Sequence, residues 1–275
     1  MRVTSLRSLF VSFALFGSVA TACGSDSSSA TTTAGPAGTP SDGITTAVPA
    51  VSGEIVVFAA SSLTDAFTEM GQAFHAANPD ATVTFNFAGS GDLVTQIGQG
   101  APADVFVSAD ESNMTKLTDA GEAAGTPVVI ARNVMEIIVE AGNPKGITGL
   151  ADLTNGDLIV VLCADTVPCG KNAAKALANA GVTVTPKSLE DKVKGVVTKV
   201  TTGEADAGIV FATDVLAAGD QAAGVEIPAD VNVISKYPIV VTKEATNATA
   251  GQAFIDFVAS AAGQAILAKY GFLAP

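Results

Sequence analysis

From Glu54 onward the apolar positions keep changing period. "EIVVFAA" (54–60) is a short, nearly continuous apolar run, as in a strand buried on both faces. In "LTDAFTEMGQAFHAANP" the apolar residues Leu63, Ala66, Phe67, Met70, Ala73 and Phe74 recur at the helical period. "ATVTFNFA" alternates like a strand, "GDLVTQIGQG" is helical, and "ADVFVSA" is a strand again. This βαβαβ order predicts an α/β fold with a mainly parallel sheet flanked by helices. "VMEIIVEA", "LIVVL", "AGIVFA" and "YPIVVT" read as later strands. Cys169–Ala180, Leu189–Thr201 and Ala250–Tyr270 read as helices.

The first 53 residues have no such pattern. Arg2 and Arg7 precede an apolar stretch, Leu9 to Ala22, too short for a comfortable membrane span. Residues 1–22 therefore read as a secretory signal. "VATAC" resembles a bacterial lipobox, with Ala20 where Leu is usual, so Cys23 is the expected lipidation site; the alternative is ordinary cleavage after Ala22. Residues 23–53 are mostly Ser, Thr, Ala, Gly and Pro, which bury too little surface to offset the entropy of ordering. They are expected to form a disordered tether between membrane and domain.

Composition narrows the function. The formal charge of −13 argues against nucleic acid. No Trp and only two Tyr argue against an aromatic sugar-stacking groove. Cys163 and Cys169 are close enough for a small disulfide loop through Pro168, as an exported protein permits; two buried thiols are the alternative. Their spacing does not suit zinc, and the single His is distant.

Ligands of such folds sit beyond the carboxyl ends of strands, where helices begin. Four junctions carry small donors there: "AASSLTDA", "FAGSGDLV", "VPCGKNAA" and "SLEDKVKG". Each helix start offers unpaired N–H groups at the positive end of a dipole, an anion site without a charged side chain. A purely structural reading also fits each junction. Ser62 with Asp65 three residues on has the look of a helix cap, and Ser90 between two glycines that of a turn.

An enzyme fits less well. "FAGSG" is not the G-x-S-x-G elbow. His75 lies several turns from Ser62 and reads as a surface residue, so no base activates the serines. "CGKN" departs from a phosphate loop, with Asp165 at the earlier Gly position and Asn172 in place of Ser/Thr.

The stretches "VFAASSLTDAF", "FAGSGDLVTQIGQGAPADVFVSAD", "VPCGKNAAKAL", "GEADAGIVFATDV" and "KYGF" resemble the molybdate-binding proteins of bacterial ABC importers, from about Glu54 to the C-terminus. The resemblance implies a two-lobed type II periplasmic-binding-protein fold that closes over its ligand. Lobe one would be 54–131 plus 240–275 and lobe two 132–239, with crossings near 132–141 and 236–242. It implies oxyanion contacts from the hydroxyls of Ser62 and Ser90 and the amides of Cys169 and Val193. The family's tyrosine is replaced by Phe211, which removes one donor. Molybdenum would be held only as its oxyanion, molybdate or tungstate, with no cofactor; sulfate is the alternative ligand. The expected partner is an ABC permease, and the protein itself is expected to be an exported, lipid-anchored monomer without catalytic activity.

Overall fold

The computed structural model describes residues 51–275; the expected signal segment, Cys23 and nearly all of the tether lie outside the described residues. The described residues form nine strands and eight α-helices. The strands are β1 (Gly53–Ala60), β2 (Ala81–Ala88), β3 (Val105–Val107), β4 (Val128–Glu140), β5 (Val160–Cys163), β6 (Ser188–Glu190), β7 (Ala207–Phe211), β8 (Ala222–Glu226) and β9 (Ile234–Val241). The helices are α1 (Thr64–Ala77), α2 (Ser90–Gly98), α3 (Glu111–Asp119), α4 (Pro168–Asn179), α5 (Val193–Thr201), α6 (Ala212–Ala218), α7 (Ala248–Ala259) and α8 (Ala261–Lys269).

The strands run in the order β2-β1-β3-β9-β4-β7-β5-β6, with β8 also on β4. The two halves have the same plan. In one, β2, β1 and β3 are parallel and β9 joins antiparallel; in the other, β6, β5 and β7 are parallel and β4 joins antiparallel. The βαβ units thus supply the parallel strands of each half. The antiparallel pairs all involve β4 or β9, the strands by which the chain passes between halves. β4 pairs with β9 as far as Val134, then with β7 from Met135, and β9 re-enters at Ile234.

Both faces of the first half are covered, which is why its inner strands β1 and β3 are apolar almost throughout, while the edge strand β2 alternates. Ile55, Val57 and Ala59 pack with Phe67, Phe74 and Phe254 of α1 and α7, while Phe58 and Phe106 pack with Leu93, Ile97, Met114 and Leu117 of α2 and α3. Phe67, Phe74 and Phe254 meet edge to face at 5.4–6.0 Å, which adds about 0.5–1.5 kcal/mol per pair beyond burial.

Two expected helices differ. The segment 189–201 is strand β6 followed by α5, because Ser188–Glu190 pairs with β5. The segment 250–270 is two helices, α7 and α8, broken at Ser260, whose side chain accepts from the Gly263 N–H and caps the second.

Candidate functional site

The helix starts of the molecule fall into two groups. Three starts, those of α3, α7 and α8, are capped by Asp110, Asn247 and Ser260. Two 3-10 turns, Leu150–Thr154 and Gly219–Gln221, are uncapped elsewhere; the other uncapped starts are the 3-10 turn Ser61–Leu63 that leads into α1, and α2, α4, α5 and α6. The residues preceding these turns are Ala60, Gly89, Val167, Lys192 and Phe211, and all five line one small pocket. Two come from the first half and three from the second. First-turn amides without a side-chain partner therefore gather where the halves meet.

The sequence-predicted residues Ser62, Ser90, Cys169, Val193 and Phe211 all line this pocket. Ser61 lines it too; its neighbour Ser62 is the one the motif marks. Lys192 is the one charged residue in the lining, and it is exposed.

The cap reading of Ser62 does not hold. Ser62 lies inside the 3-10 turn, α1 begins at Thr64 without a side-chain cap, and Asp65 turns away to Lys194 at 2.9 Å. Ser62 Oγ instead meets the hydroxyl of Tyr237 at 3.0 Å, in a fully buried contact. Ser90 is the first residue of α2, and its Oγ accepts the Ala109 N–H at 3.1 Å. With an acceptor site of Ser90 so occupied, its own O–H proton remains for the pocket.

In the second half, Cys163 and Cys169 are joined by a disulfide that ties the end of β5 to the first turn of α4. Pro168 opens that helix, where its missing N–H costs nothing. A Cβ on Gly170 would stand 1.9 Å from the Ala164 oxygen, so only glycine lets the turn fold this tightly over the bridge. Gly89 allows an equally close approach between halves: a Cβ there would lie 2.7 Å from the Asp191 oxygen and 2.9 Å from Val167 Cγ1. Phe211 is buried, with its ring edge-on to Tyr237 at 5.9 Å.

Two lysines next to these junctions bind acids of the first half. Lys171 Nζ lies 3.1 Å from Asp110 Oδ2, and Lys194 Nζ lies 2.9 Å from Asp65 Oδ2 and 3.5 Å from Asp214 Oδ1. Asp214 is buried and neither oxygen has a hydrogen-bond partner. Burial pushes its carboxyl up to about 6, against the pull of Lys194. Burial pulls the Lys194 ammonium down, but Asp214 and Asp65 together raise it. Sequence reasoning passed over both lysines. One signal was available: a lysine in the first turns of a helix opposes the dipole and calls for an acidic partner.

Neither serine has a base. Ser62 faces a tyrosine whose hydroxyl burial holds firmly protonated. His75 is exposed on α1 and bonded to the Ala81 carbonyl at 2.6 Å. Among the described residues, no three His, Cys, Asp or Glu side chains are grouped to hold a metal ion. Nor is any helix among them long and apolar enough to cross a membrane.

Two α/β halves joined by exchanged strands, with donor-rich helix starts from both meeting in one pocket, define a two-lobed type II binding-protein fold. The chain belongs to the family of bacterial extracellular solute-binding proteins, which it matches over residues 55–273. It is similar to the molybdate-binding protein ModA of Mycobacterium tuberculosis (strain ATCC 25618 / H37Rv), 44% identical over 221 residues, 80% of this chain and 85% of that protein. It is also similar to ModA of Escherichia coli (strain K12), 32% identical over 230 residues, 80% of this chain and 89% of that protein. The periplasmic molybdate-binding protein of Azotobacter vinelandii shares the fold, with a TM-score of 0.69 at 21% identity over 80% of this chain and 99% of that one.

Proposed function

We propose that this protein captures molybdate, and tungstate with it, between its two lobes and delivers it to an ABC permease. The observation that carries the reading is the gathering of uncapped helix starts from both lobes around Ser62 and Ser90. The similarity to ModA proteins gives the same direction. In this reading the hydroxyls of Ser62 and Ser90 and the amides of Cys169 and Val193 hold the oxyanion, and Phe211 forms wall. Lobe one is taken as 54–131 with 240–275 and lobe two as 132–239, a division supported by β4 leaving β9 for β7 after Val134 and by β9 starting at Ile234. Export by residues 1–22, lipidation at Cys23, a tether to the membrane and a monomeric state complete the proposal.

Each hydrogen bond to a charged acceptor is worth roughly 1.5–3 kcal/mol net. A set of fixed donors without acceptors also selects. Hydrogen phosphate would bury an O–H with no partner, at roughly 1–3 kcal/mol; molybdate and tungstate carry no such proton. Sulfate carries none either and is excluded only by its smaller size. A thermal-shift panel tests the reading. Molybdate and tungstate should raise Tm, by an amount equal to about 2.7 kcal/mol at a hundredfold excess over Kd. Sulfate and phosphate should leave it in place. An equal response to phosphate, or a response to sulfate alone, would overturn the assignment.

A further inference from the structure

Ser90 has an unambiguous donor facing its oxygen, the Ala109 amide. Ser62 does not: two hydroxyls 3.0 Å apart, Ser62 Oγ and Tyr237 Oη, can share a proton either way round. Which way they share it decides whether Ser62 offers the pocket a proton or a lone pair.

The surroundings of Tyr237 break the tie. Asn133 is buried, and its Oδ1 accepts the Val134 N–H at 3.0 Å. That bond fixes which end of the amide faces inward. The Nδ2 group then points its two protons at Thr213 Oγ1, 2.8 Å away, and at Tyr237 Oη, 3.4 Å away. An oxygen that receives the Asn133 proton is committed to giving its own elsewhere. Ser62 Oγ is the other partner of the Tyr237 hydroxyl. Tyr237 is fully buried and does not itself line the pocket. Burial raises the tyrosine's pKa well above its ordinary value, so the hydroxyl keeps its proton to donate.

We propose that Tyr237 is a positioning and specificity-determining residue, whose hydroxyl, polarised by Asn133, donates to Ser62 and so commits Ser62 to donate into the pocket. The relay runs in one direction, Asn133 to Tyr237 to Ser62 to ligand, and bonds aligned in this way strengthen one another. Together with Ala109 behind Ser90, it holds both serine hydroxyls with one lone pair occupied and the proton turned to the pocket. The pocket then disfavours a protonated tetrahedral anion, because the O–H of such an anion meets serine hydroxyls held with their protons towards it. This inference rests on the oxyanion reading proposed above and explains its selectivity.

The test is calorimetry with molybdate and with phosphate near neutral pH, on the unaltered protein, Tyr237→Phe, Ser62→Ala and the double variant. Tyr237→Phe should weaken molybdate binding by about tenfold, the effect of a lost hydrogen bond acting through a charged acceptor. It should also narrow the preference for molybdate over phosphate by about as much, since a released Ser62 can accept. In the Ser62→Ala background the same change should have no further effect, because Tyr237 acts through Ser62. A merely structural role would weaken both anions alike and would persist in that background; either result overturns the proposal, as does an unchanged Tyr237→Phe. If the unaltered protein fails to bind molybdate, the functional reading falls and takes this inference with it. Neutron diffraction of the unaltered protein with molybdate gives a check free of folding effects. The Tyr237 deuteron should lie on the line to Ser62 and the Ser62 deuteron on the line to the anion; the reverse order refutes the relay.

Discussion

Replacing Lys194 by Met tests how the buried charge beside the pocket is held. Lys194 lies between Asp65, which is half exposed, and Asp214, which is 1% exposed. Met keeps much of the stem's packing and removes the charge. Removing one partner of a buried ion pair ordinarily costs about 3–5 kcal/mol. Here the cost has a ceiling, because Asp214 can take up a proton instead. Its carboxyl already titrates at about 6. Protonating it near pH 7.5 costs about 2 kcal/mol, at roughly 1.4 kcal/mol per pH unit. The contact with Asp65 adds less than about 1 kcal/mol at its exposed position. The sign follows from linkage. A carboxyl raised in the fold favours the fold fully below its unfolded value of 3.8, and that contribution is lost as pH rises through about 6. Without Lys194 the loss continues to higher pH. Lys194→Met should therefore cost about 2 kcal/mol near pH 7.5 and close to nothing through Asp214 near pH 5. Urea unfolding at both pH values measures this. An equal loss at both would refute the account, since Lys194 would then be stabilising by packing rather than by countering Asp214.

Two further substitutions probe the pocket itself. Gly89→Ala puts a methyl 2.7 Å from the Asp191 oxygen of the opposite lobe; it should lower molybdate affinity by at least about tenfold through blocked closure, with the ligand-free Tm little changed, as calorimetry and thermal melts would show. Phe211→Tyr adds a hydroxyl to the pocket wall and should tighten molybdate binding by about tenfold, the worth of one hydrogen bond to a charged acceptor; unchanged affinity in a calorimetric titration would mean that the ring at 211 only packs against Tyr237.

The parts of this molecule legible in its sequence are those whose pattern is local. β1, α1, β2, α2 and β3 follow from period alone, since each buries a continuous face. The five motif-marked residues come together because each sits at a strand end or helix start, and such ends converge in a doubly wound sheet. What was not legible depends on distant partners. Ser62 and Tyr237 are 175 residues apart, and Asn133 and Tyr237 are 104 apart. In "KYPIVVT" the tyrosine reads only as a strand residue, and nothing nearby says that its hydroxyl faces a serine. β6 is three residues long and β8 is "AAGVE", too short or too small-chained for alternation to register. The break at Ser260 did leave a signal, a Ser followed three residues on by Gly263, whose Cβ would meet the Phe257 oxygen at 2.3 Å.

The acidity of the chain raises a last question, how a protein of formal charge −13 would hold the dianion proposed as its ligand. Three carboxylates near the pocket are countered by two lysines. Asp110 receives Lys171, Ser112 and the Asn113 amide, while Asp65 and Asp214 share Lys194. Exposed acids farther off are separated from the pocket by solvent and salt, whose screening length is about 8 Å at physiological ionic strength. Lys171 and Lys194 reside in lobe two, and Asp110 and Asp65 in lobe one. The contacts that neutralise those two acids are therefore made across the cleft. Parting the lobes would separate the pairs and leave negative charge beside Ser62 and Ser90. In the proposed reading closure therefore does two things at once: it brings the uncapped amides of lobe two to the serines of lobe one, and it covers the carboxylates that would otherwise repel the anion.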